Sequence, residues 1–133
     1  MKKHILLLLL PILAFTSCTT FTSRSFSPDI DGYGLATPVN VEVLEKSIQL
    51  ASTHYHWQIE EQYEGKIIAS FQKGEGVIYA QIEIDYDEAG YSIHYLNSRN
   101  IDADLTRMTI HKNFVRWVAN LNKGIYTYYL KFS

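Results

Sequence analysis

A single cysteine, Cys18, stands in 133 residues. One thiol closes no disulfide within the chain, and it cannot supply the paired cysteines of a structural zinc site. Basic runs are missing too: 12 Lys and Arg are scattered among 14 Asp and Glu, for a formal net charge of −2. That balance argues against a nucleic-acid partner, whose phosphates demand clustered Lys and Arg. The apolar run from Ile5 to Phe15, interrupted by Pro11, falls short of the roughly 17–25 residues a transmembrane helix needs. No Gly-rich phosphate cradle is present, since Lys73-Gly74-Glu75-Gly76 lacks both the length and the Lys-Ser/Thr ending of one. No Gly-x-Ser-x-Gly elbow lifts a serine into reach of a substrate.

What is present first is an address. Lys2 and Lys3 precede the short apolar run, and the small residues Thr16 and Ser17 lead directly into Cys18. This arrangement resembles the lipobox of exported bacterial lipoproteins, with Phe15 where an aliphatic residue is usual. The resemblance implies a signal peptide over residues 1–17, diacylglyceryl transfer to Cys18, cleavage before it, and attachment to the membrane through the acylated residue. A plain signal peptide would instead leave a soluble protein with a free thiol, and an uncleaved helix would leave a tethered one. Each buried methylene contributes about 0.8 kcal/mol, so several acyl chains anchor a protein almost permanently. Thr19, rather than Asp, follows the cysteine. In a Gram-negative host the expected destination is the outer membrane, facing the periplasm.

Cleavage would remove Lys2 and Lys3 and no acid, moving the formal charge from −2 to −4. Stability must then come from one packed core in one small domain. Residues 18–37, rich in Ser, Thr, Gly and Asp and without apolar period, read as a lipid-anchored flexible tether. Phe21, Phe26 and Tyr33 give its far end something to lay against the domain. The domain proper is expected over 38–133.

Within it, Val41, Leu44, Ile48 and Ala51 recur at helical spacing to about His54, with Asn40 or Thr37 as cap. Trp57, Ile59 and Tyr63 then alternate with polar residues. Ile67, Ala69 and Phe71 do the same, followed by Ile78 to Tyr86 and by Tyr91, Ile93 and Tyr95. Short turns join these runs, which predicts a four-stranded antiparallel meander. Ile110, Phe114, Trp117, Val118 and Leu121 share one face of a second helix. The tail after Gly124 suits a strand by its Tyr and Ile content. The spacing of Ile125, Tyr128 and Phe132 favours continued helix. The fold class expected is α+β: helix, four-stranded antiparallel meander, C-terminal helix, with both helices on one face of the sheet.

The stretches GKIIASF, VIYAQIEIDYDEAGYSIHYLNSRNI and IHKNFVRWVANL, with Trp57, resemble a group of small proteobacterial lipoproteins of unassigned function. The likeness spans roughly residues 40–123. It rests on Tyr91 to Tyr95, Ser98 with Asn100, and Ile110-His111 followed by Phe114 and Trp117. It implies the envelope location and the fold, and it brings no activity with it.

Candidate chemistry is thin. His54, His56, His94 and His111 occupy separate predicted elements, so no metal and no cofactor is expected. Glu83, Asp85, Asp87, Glu88 and Gly90 hint at a calcium loop, but Ala89 and Leu96 stand where ligands are required. Glu60 and Glu83 have no enclosed pocket in which to act as acid and base. The outward sheet face, by period two, shows Ile68, Val77, Tyr79, His94 and Leu96 among Gln58, Gln62, Gln81 and the acids. So much apolar area invites a partner, an envelope protein or a second copy. The reading is a non-enzymatic, lipid-anchored binding or assembly module. Its rivals are a small envelope hydrolase or metal-binding protein using His94, His111 and Ser98, and a carrier holding a ligand between helices and sheet.

Overall fold

The structure, a computed structural model, describes residues 22–133. The expected signal peptide and Cys18 lie outside the described residues. Helix α1 (Val41–His54) starts where the Asn40 carboxamide oxygen accepts from the Val43 amide at 3.2 Å, and it buries Leu44, Ile48 and Ala51. His56, at φ 64°, turns the chain out of the helix. Trp57 then donates its amide to the Ser52 carbonyl at 2.8 Å and leads into the sheet.

Four strands follow in antiparallel order: β3 (Gln58–Tyr63), β4 (Lys66–Lys73), β5 (Ile78–Asp87) and β6 (Gly90–Arg99). The register sets Ile67 opposite Ile84, Ala69 opposite Ile82, Phe71 opposite Ala80, and Ile93 opposite Ile84. All of these are buried, and they share one core with the buried residues of both helices. Helix α2 (Lys112–Phe132) passes through Gly124 without a break, so the tail is helix. Gly124 is buried against α1, where a Cβ would lie 2.5 Å from the Tyr55 ring and 3.3 Å from the Ala51 Cβ. The glycine lets two helices approach; it does not end one.

The expected meander is incomplete in one respect. The N-terminal stretch assigned to a flexible tether over 18–37 contains β1 (Ser23–Ser25) and β2 (Asp29–Asp31). Strand β2 pairs with the free edge of β6, making a five-stranded sheet of order β2-β6-β5-β4-β3. Strand β1 pairs with β7 (Thr109–His111) in a separate two-stranded sheet. The reason is side-chain packing rather than periodicity. Phe26 meets Tyr95 and Phe114 edge-on, with centroids 5.7 and 6.1 Å away, while Ile30 and Leu35 lie on the core. Gly32 crosses the face of Tyr91 so closely that a Cβ would come within 2.5 Å of the ring. Three-residue strands are too short to announce themselves by alternation.

Two β-bulges also shift the expected faces. One, between Ile59 and Glu61, sets Tyr63 opposite Lys66 on the outer face, leaving it 56% exposed rather than inward. The other lies opposite Gln81 and Ile82 and makes Leu96 the extra residue. Among the described residues no helix is long and apolar enough to cross a membrane.

Candidate functional site

The outer sheet face is built by the polar members of each alternation, and the register stacks them into rows. Lys66, Asp85, Ser92 and Asp31 form one row; Ile68, Glu83, His94 and Asp29 form the next. At their junction sits His94. Its Nδ1 lies 2.7 Å from Asp29 Oδ1, and its Nε2 lies 2.9 Å from Ser92 Oγ and 3.2 Å from Asp85 Oδ2. Lys66 pairs with Glu83 at 3.3 Å beside it.

A second network occupies the end of the face nearer the β4–β5 turn. The Glu60 carboxylate accepts from the Tyr79 hydroxyl at 3.1 Å and from the Gln81 amide at 2.7 Å. Asn97 donates to Gln81 at 2.6 Å, and the Arg99 guanidinium lies 4.4 Å over the Tyr79 ring. Partial burial raises the pKa of Glu60, but the hydrogen bonds to its charged form outweigh this and hold it below the ordinary value. The Ser70 hydroxyl, although it also lowers the Glu60 pKa, has no partner in hydrogen-bond geometry. We therefore assign the effect chiefly to Tyr79 and Gln81.

The apolar patch expected of Ile68, Val77, Tyr79, His94 and Leu96 is dispersed. Ile68 is half-buried between Glu61 and Glu83; Tyr79 and His94 are held in the polar networks. Val77 sits in the turn before β5, 62% exposed, and Leu96 projects from the bulge, 40% exposed. The hydrolase constellation does not assemble either. Ser98 bonds the Tyr95 hydroxyl at 2.6 Å, and His111 caps α2 by accepting from the Asn113 amide at 3.1 Å. Neither contact involves His94. Among the described residues no three His, Cys, Asp or Glu side chains converge as metal ligands.

Asp29, His94 and Ser92 do stand in the order acid, imidazole, hydroxyl. Asp29 lies in the stretch whose composition reads as a tether, while Ser92, two residues before His94, shares its face by strand alternation. Acyl transfer also requires donors aimed at the developing oxyanion. Here β6 lies between β2 and β5, with Ser92 registered against both Asp31 and Asp85, so the backbone is engaged on both sides. The Asp29–His94 contact ties β2 to the sheet.

A groove of about 410 Å³ lies elsewhere, where β1 meets the start of α2. Arg24, Lys112 and Arg116 line it with Asn113, Val115 and Ala119. The Lys112 amide donates to the Thr22 carbonyl at 2.8 Å, so the N-terminal chain reaches the domain at this corner. No protein-family model, curated protein or solved structure matches the chain.

Proposed function

We propose that this chain is a lipid-anchored cell-envelope protein of non-enzymatic type, a binding or assembly module. In a Gram-negative host it would hang from the outer membrane into the periplasm. The observation that carries this reading is the sole cysteine, Cys18, placed directly after Thr16-Ser17 at the end of a short basic-then-apolar leader. The outer sheet face is the surface offered to an envelope protein or a second copy, with Leu96 exposed at the β6 bulge and Val77 exposed in the turn at its end.

Two measurements test the two halves. Intact-mass analysis of the membrane fraction should show a chain beginning at Cys18 with acyl mass added, and Cys18→Ser should abolish that species. An unacylated soluble product from the unaltered chain would defeat the anchor. Native mass spectrometry of the detergent-solubilised protein should then show a dimer or hetero-complex that Leu96→Glu disrupts without changing the circular dichroism. Association that survives the added charge would remove this face from the reading.

A further inference from the structure

The acids of this chain are segregated. All 14 lie between Asp29 and Asp104, whereas the residues after Asp104 carry Arg107, Lys112, Arg116, Lys123 and Lys131 with no Asp or Glu. Helix α2 contains no acid over its whole length. Lys112, Arg116 and Lys123 are exposed and recur at spacings of four and seven, which sets them on one face with Ala119. Arg24 from β1 joins that face across the groove. The small strands β1 and β7 are likewise free of acids. The exposed face of α2 and the adjoining β1 thus carry basic side chains without acids of their own, while Asp104, bonded to Thr109 at the edge of β7, lies 3.8 Å from Arg107.

That face is also where the anchoring chain arrives. Thr22 is bonded to Lys112, and Cys18 precedes it by four residues. Fully extended, four residues span at most about 14 Å. If Cys18 is acylated, the start of α2 is held within that distance of the bilayer surface. The inference rests on the lipid-anchor reading to this extent.

We propose that the exposed basic face of α2, Lys112, Arg116 and Lys123 together with Arg24, rests on the anionic phospholipid surface into which the Cys18 acyl chains insert. The acids of the outer sheet face and its turns lie on other elements. Near an anionic membrane each Lys or Arg contributes attraction equivalent to roughly a fivefold change in population. Several acting together fix the orientation of a domain whose short anchor alone fixes only its distance. The protein then presents a defined surface to the periplasm instead of tumbling on its anchor.

The acylated full-length product, carrying Ala119→Cys with a nitroxide on the new thiol, is reconstituted into two kinds of vesicle. One is phosphatidylcholine with phosphatidylethanolamine; the other has a third of its lipid replaced by phosphatidylglycerol. A label at Glu75→Cys, in the turn between β4 and β5, serves as the reference. Paramagnetic depth measurement should place the Ala119→Cys label at headgroup level in the phosphatidylglycerol vesicles and in water in the others, with the reference label in water throughout. Arg24→Gln with Arg116→Gln, and separately Lys112→Gln with Lys123→Gln, should each shift the ratio of the two states by roughly 25-fold toward water. A label in water on both vesicles, or at equal depth on both, overturns the proposal. Failure to float with either vesicle, with a mass lacking acyl chains, defeats the anchor itself and the placement with it. Flotation therefore separates the two failures.

Discussion

The carboxylate of Asp29 lies 2.7 Å from Nδ1 of His94, joining the N-terminal strand β2 to the strand beside it across 65 positions of sequence. The contact lies across the pairing by which a stretch that composition marks as a linker becomes the edge of the sheet. It sits on the face opposite the core, so it adds to the pairing of β2 without competing with the packing of Ile30 and Phe26.

Removing it should loosen β2 rather than unfold the domain. The Asp29 side chain is 76% exposed, so Asp29→Ala should lower global stability by no more than about 1 kcal/mol. Amide exchange of residues 29–31 should accelerate severalfold while that of β4 and β5 stays unchanged. Equal acceleration across the whole sheet would show that β2 and the core open together.

Gly124 offers a sharper test of the helix interface. A side chain there meets the Tyr55 ring and the Ala51 Cβ. Gly124→Leu should destabilise the protein by about 1–3 kcal/mol in urea denaturation, despite the better helix propensity of leucine. Unchanged stability would mean that Tyr55 swings aside freely.

High pH should reveal two tyrosines. Burial pushes the Tyr91 phenol up to about 12, and the Tyr33 amide directed at its oxygen only partly opposes this. Burial, followed by the hydrogen bond to Glu45, pushes Tyr86 to about 12 as well. Both folded values exceed the ordinary 10. Their stabilising contribution is therefore complete below pH 10 and is lost as pH rises toward about 12. Ultraviolet titration should show these two phenols ionising last, and Tyr91→Phe should flatten part of the alkaline decline in stability.

Glu60 works in the opposite direction. Its folded pKa lies below the ordinary value, so its contribution is present above that value and lost as pH falls through the folded one. Glu60→Gln should make the acid limb of a stability–pH profile shallower. An identical limb in the variant would show that the Tyr79 and Gln81 contacts do not outlast solvent competition.

How much was legible in advance follows from what burial writes into a chain. Period-two alternation from Ile67 to Ile93 and the helical spacing from Leu44 to Ala51 are direct records of one buried face, and the structure buries those residues. The same spacing beyond Gly124 carried the second helix to Phe132, against the local pull of Gly, Tyr and Ile. Asn40 was readable as a cap because its chemistry acts on an amide three residues away.

Outward-facing relationships left weaker records. A single extra residue at Leu96, or one at the β3 bulge, changes which positions share a face, and alternation cannot register it. The partners of His94 come from three strands, one of them in the stretch that composition marks as a tether, so no local pattern assembles them. The clustering of every acid before Lys112 was visible in the sequence. That Arg24 should meet Lys112 and Arg116 at the point where the chain arrives was not. The sequence alone determined the inner faces, because apolar burial repeats with the period of each element. Tertiary structure decided the outer face and the docking of the N-terminal strands, because those depend on single contacts between distant residues that carry no period.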